Sequence, residues 1–212
     1  NILHILNTNN FLEYGYGLTC KGMISMHIQE IHPLVIGDLY EKYEGFSKIN
    51  AIELCGLLSC FTNISMPSDL RVSIPGDTHI NTAVKHIAKI ITGLMDKYYD
   101  LEYEYQLDTG AEYNYHFELI DHIINWCNAD NEVNCNEIIN NLKIEKELFL
   151  GEFIKSILKI NNIAYEISKA AEITNKIHLL EKINKIDDAI SSMRNKIKLI
   201  YYISLIFFSF IK

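Results

Sequence analysis

Proline is nearly missing from this chain of 212 residues: Pro33, Pro67 and Pro75 are the only three, and all lie in the first 75 positions. Nothing after them forbids long helices, since proline is the residue that removes a helical donor and clashes with the preceding turn. Arginine is rarer still, with only Arg71 and Arg194. Lysine is therefore the main cation, a point charge rather than a planar fork. No G-x-x-x-x-G-K-[ST] phosphate loop occurs, and Gly15-x-Gly17 is too short for a dinucleotide fingerprint. The G-x-S-x-G, H-E-x-x-H and EF-hand patterns are also missing, which leaves a stand-alone enzyme almost without support. Five cysteines (Cys20, Cys55, Cys60, Cys127, Cys135) form no C-x-x-C pair and no framework spacing. Reduced thiols in an intracellular protein, nuclear or cytoplasmic, are the expectation. His122, Cys127 and Cys135 match no common zinc spacing. Asp187-Asp188 reads as a solvated helix face, and Asp100, Glu102 and Glu104 as an acidic loop.

What is present is apolar substance: 49% of the residues, enough for one large helical domain. The net charge of −8 argues against a general nucleic-acid binder. The charge is uneven, however: residues 1–144 carry a net −11 and residues 145–212 a net +3. A bound strand would feel the local sign, because screening acts over about 8–10 Å. The run Leu199 to Ile211 is apolar apart from Ser204 and Ser209. It is shorter than the roughly 20 residues a bilayer span needs, so a buried helix is expected and no membrane association. Phe207, Phe208 and Phe210 offer an alternative as a membrane or partner contact. The chain opens on Asn rather than Met, which reads as a piece of a longer protein.

The most telling stretch is Glu147 to Thr174, read as one long two-faced helix. Phe153, Ile157, Ile160, Ala164, Ile167 and Ala171 recur at steps of four and three, forming one apolar stripe. Lys155, Lys159, Asn162, Glu166 and Lys169 recur at the same steps, about half a turn away. A row of amines along a rigid rod can track a phosphate backbone. The plainer reading is a solvated outer face, which is what most polar helix faces are.

The remaining pattern is helical too. Residues 2–13 read as helix, Leu18-Thr19-Cys20 as a short strand, and Lys21 to His27 as helix after a Thr19 or Cys20 cap. Pro33 suits a first helical turn before Leu34 to Tyr43, and Ser47 is a good N-cap for a helix reaching Phe61. Thr62 to Asp77 is the main loop. A helix over 81–98 follows, then a partly extended acidic and tyrosine-rich stretch over 99–115. Further helices are predicted near 116–127, 133–141, 177–192 and 194–210. Trp126 reads as a core anchor. The fold class is all-α: a helical bundle with a long central helix, residues 31–212, preceded by a small winged-helix remnant, residues 1–30.

Several local patterns, in order, resemble the C-terminal DSHCT domain of the superkiller-type, exosome-associated DExH-box RNA helicases. Phe11-Leu12-Glu13-Tyr14-Gly15-Tyr16 with Leu18-Thr19-Cys20-Lys21-Gly22 looks like the end of that family's winged helix. Leu57-Leu58-Ser59-Cys60-Phe61 is similar to its "ALLSCF" helix, and Ala88 to Glu104 to a long helix entering an acidic stretch. Trp126-Cys127 sits in a segment like its "WCxG" helix end, and Arg194 opens what resembles the final helix. Phe149 to Lys155 resembles "FEGSLIR", the opening of the family's ratchet helix.

The resemblance implies a role. Such a bundle caps two RecA-like motor domains of the same protein, and its ratchet helix lines a channel for single-stranded RNA. ATP and Mg would belong to those motors, with none bound by this chain. RNA-decay complex subunits are further implied partners. Aligned along the ratchet motif, Lys155, Lys159 and Asn162 become the RNA-binding positions; catalytic and metal positions are none. The competing reading is a helical protein-interaction domain that binds no nucleic acid, using the acidic 96–118 region or the aromatic tail.

Overall fold

Helices dominate because apolar residues recur at helical spacing along most of the chain, and the Thr19, Asn50 and Asn131 side chains each accept a backbone amide at a helix start. The computed structural model describes residues 1–14, 17–72, 82–186 and 188–189. In chain order the helices are α1 (Ile2–Thr8), α2 (Cys20–Ser25), α3 (Pro33–Lys42), α4 (Ala51–Leu58), α5 (Thr82–Tyr105), α6 (Ile120–Asn128), α7 (Glu132–Lys146) and α8 (Leu150–Ile173). A ninth, α9, covers residues 177–186. Short 3-10 turns occupy Ser59–Phe61 and Ser68–Leu70. The expected helix over 194–210, with Arg194 and the aromatic tail, lies outside the described residues.

The expected all-α bundle is what forms, but several boundaries move for local physical reasons. The first helix stops at Thr8 rather than continuing to 13, since Asn10 turns left-handed (φ 58°). The short strand expected at Leu18 is reduced to one antiparallel bridge, Leu12 to Leu18. Asn50, not Ser47, caps α4. Its side chain accepts from the Glu53 amide (2.9 Å) while the Glu53 carboxylate takes the Asn50 amide (2.8 Å), a reciprocal capping box. Three consecutive left-handed residues, Glu44, Gly45 and Phe46, occupy the turn before it. Helix α5 runs seven residues beyond 98, because Tyr98 is buried, Leu101 packs on the core and no glycine intervenes before Gly110. Glu147 ends α7 in a left-handed cap (φ 52°), so α8 starts at Leu150. The Leu148 amide returns to the Leu142 carbonyl (3.1 Å) across that cap.

One core unites these helices. Trp126 of α6 is fully buried, and its ring meets Phe153 of α8 edge-on, with centroids 5.1 Å apart. Phe153, Ile157, Ile160, Ala164, Ile167 and Ala171 are all buried, so the expected inward stripe of α8 is the observed one. Phe11, Ile28 and Ile31 join the same core, so the N-terminal segment packs directly on the bundle.

A buried charge fastens α2 to its neighbours. Lys21 donates to Asp38 (2.9 Å) and Glu41 (2.8 Å) of α3, and lies over the Phe11 ring. Burial pushes its ammonium down, but the two carboxylates outweigh that and hold it above the ordinary lysine value. Asp38 also accepts from the Tyr98 hydroxyl (2.6 Å) and from Lys97 (3.1 Å) of α5. Beside Lys21 the backbone approach is closest. A β-carbon on Gly22 would stand 2.2 Å from the Phe11 carbonyl oxygen. A backbone atom cannot swing aside as a side chain can, so Gly22→Ala should destabilise by about 1–3 kcal/mol. Urea unfolding checks this, and an unchanged midpoint would contradict the packing of α2.

Candidate nucleic-acid interface

Helix α8 spans 24 residues, about 36 Å at the usual rise. Opposite its buried stripe runs an exposed seam: Lys155, Leu158, Asn162, Tyr165, Lys169 and Glu172, at alternating steps of three and four. The seam is not purely polar. Leu158 is 47% exposed and Tyr165 60% exposed, on the same line as the amines. Lys155 is open to solvent and pairs with Glu152 one turn back (2.6 Å). Lys169 pairs with Glu172 (3.1 Å), and its ammonium lies 5.4 Å from the centre of the Tyr165 ring.

Lys159 and Glu166 are set to one side of this seam, half-buried against the segment that joins α2 to α3. Glu30 of that segment is held at both oxygens. Lys159 donates to Oε2, and the Asn162 amide donates to Oε1 at 3.1 Å. The Lys159 ammonium, helped by Asn162, holds the Glu30 carboxyl below its ordinary range against the opposing effect of burial. Glu166 completes the clasp by accepting the backbone amides of Gln29 (2.9 Å) and Glu30 (3.0 Å). Beside it opens a polar cleft of about 330 Å³, lined in part by Gln29, Glu30, His32, Asn63, Asn114 and Lys159.

The three expected positions thus divide. Lys155 stands free of the clasp on the open seam. Lys159 and Asn162 share one carboxylate. Tyr165 joins the line outside the polar pattern, and its spacing of three from Asn162 and four from Lys169 is the signal in the sequence that places it there. Glu30 carried no such signal, since it lies 129 residues from Lys159.

A second buried cluster has a different purpose. His116 Nε2 lies 2.9 Å from Thr62 Oγ1, and Nδ1 lies 3.1 Å from Glu118 Oε2. The order resembles a nucleophilic triad, but the Thr62 hydroxyl donates its proton to the Ser59 carbonyl (2.8 Å). Glu118 in turn accepts the amides of Val72 (2.6 Å) and Phe117 (3.0 Å). The cluster ties the loop after α4 to the entry of α6.

A family model described as the DSHCT (NUC185) domain matches residues 15–196. This chain belongs to the DSHCT family. No curated protein sequence matches it. The DSHCT match spans α2 through α9 and so includes both the seam and the clasp. Among the described residues no helix is long and apolar enough to cross a membrane. The apolar run 199–211 lies outside them.

Proposed function

We propose that this DSHCT chain is the C-terminal accessory bundle of an ATP-dependent DExH-box RNA helicase, and that α8 guides single-stranded RNA. The observation that carries the reading is the composition of the seam. Amines at Lys155 and Lys169 alternate with an exposed aliphatic group at Leu158 and an exposed ring at Tyr165. Single strands are held in this way, with cations on the backbone and an aromatic face under a base. Lysines without arginine forks favour backbone grip over base discrimination. ATP and Mg would act in RecA-like motor domains of the same protein, beyond this bundle, during unwinding and 3′-end processing or decay. RNA-decay complex subunits are the expected further partners, in the nucleus or the cytoplasm. Residues 1–30 would be the end of a winged-helix unit in that assembly.

The test is binding of a fluorescent single-stranded oligoadenylate at low salt. Tyr165→Ala should weaken it about tenfold, within the roughly 1–3 kcal/mol that stacking one base contributes. Lys155→Ala should flatten the slope of log affinity against log salt by about 0.7. Melting temperatures should hardly move, because both side chains are exposed. A second reading, protein binding alone, draws on Tyr99 and Tyr103, exposed on the acidic face of α5. Unaltered RNA affinity in both seam variants would favour that reading instead.

A further inference from the structure

We infer that Glu30 occupies a phosphate seat formed by Lys159 and Asn162, and that an incoming RNA strand takes its place there. This rests on the RNA-guiding reading and adds a built-in competitor to it. The seat pairs a cation with an amide donor, and each is matched to a separate oxygen of one anionic group. A phosphodiester presents the same feature, two anionic oxygens on one centre, and lysine binds either anion as a point charge. Asn162 belongs to the exposed seam, and Lys159 lies one step in from it, so the seat adjoins the strand path along Lys155, Tyr165 and Lys169.

Two features make the carboxylate exchangeable. The Lys159–Glu30 pair is about a quarter exposed on each side (26% and 28%), so water and an incoming anion can reach both groups. The backbone of residues 29 and 30 is fastened independently, through their amides to Glu166. The Glu30 side chain can therefore leave while its segment stays docked. The 330 Å³ cleft it borders offers room for the displaced carboxylate. In the absence of RNA, Glu30 neutralises Lys159 and keeps the seat closed to stray anions.

The experiment compares Glu30→Gln with wild type in the same oligoadenylate titration. Glutamine keeps an acceptor for Asn162 but removes the charge that competes for Lys159. RNA affinity should rise by about two- to fivefold, the range set by losing one modest, partly exposed ion pair. The gain should vanish in a Lys159→Ala background. Glu112→Gln, which removes an equal charge from the lining of the same cleft, should give a smaller gain that survives Lys159→Ala. As a second measurement on the wild type, carboxyl NMR should show Glu30 titrating below the ordinary glutamate range in the free chain and returning towards it when RNA is added. Seam variants that weaken RNA binding, combined with Glu30→Gln that binds no tighter and a Glu30 titration unmoved by RNA, would overturn the seat and leave the RNA reading standing. A wild-type chain that binds no RNA, or seam variants without effect, would overturn both.

Discussion

Replacing Ile160 with aspartate should destabilise the bundle by about 3–5 kcal/mol, a large share of the stability a domain of this size possesses. Ile160 is fully buried in the middle of α8, on the face that also carries Phe153, Ile157 and Ile167. A carboxylate placed there would lose water on every side. Protonating it to avoid that loss would still leave a polar group among aliphatic side chains. Two positions earlier, Leu158 faces solvent, and Leu158→Asp should change stability by no more than about 0.5 kcal/mol. Urea midpoints for the two variants measure the difference directly. Similar losses at both positions would mean that the helix is rotated from the orientation described.

Acid should unfold the protein in two stages. Burial lowers His32 and His122 from their ordinary value of 6.5, so the unfolded chain binds those protons more readily. Their contribution is complete above pH 6.5 and declines as the pH falls below it. Glu118 adds the second stage. Burial alone would raise its carboxyl, but His116 and the Val72 amide outweigh that and hold it at about 2, against 4.5 unfolded. Its contribution is present above pH 4.5 and is lost as the pH falls from there towards 2. This second stage is on the order of 3 kcal/mol. Thermal melts from pH 7 to pH 3 should show both declines, and Glu118→Gln should reduce the lower one, leaving the part that Glu30 and Asp38, also held below their ordinary values by lysine and tyrosine partners, contribute. A profile flat between pH 4.5 and 3 in wild type would contradict the Glu118 assignment.

Helix α8 was legible because its burial is written in steps of three and four: all six residues of the apolar stripe are inward, and Ser156, Ile163, Ser168 and Ala170 widen the buried face beyond it. Trp126 and the Pro33 start of α3 were legible for similar local reasons. The C-terminal third of α5 was not. A run of tyrosines and carboxylates resembles a loop until Tyr98 finds Asp38, sixty residues away. Ser47 and Asn50 are both good caps by type, and the left-handed turn over 44–46 decides between them. At the interface, the amines could be read from the sequence but not their engagement. Lys159 and Asn162 were visible as a polar line, whereas the carboxylate they hold comes from the far end of the chain.

That left-handed turn has a consequence for assembly. Glu44 and Phe46 adopt a conformation that costs a side-chain-bearing residue about 1–2 kcal/mol. Backbone bonds from Gly45 to Tyr40 (3.0 Å) and from Ser47 to Tyr43 (3.3 Å) and the buried Phe46 ring hold the turn locally, and Lys182 of α9 adds a distant hold, its ammonium donating to the carbonyls of Phe46 and Ile49. The partners are separated by more than 130 positions, so the ammonium cannot arrive until almost the whole bundle has been made. During synthesis the α3–α4 corner would wait in a looser form, with α9 as the late bolt that fixes it. The end of the described chain thus completes a turn near its beginning, and a change at Lys182 would first be felt there.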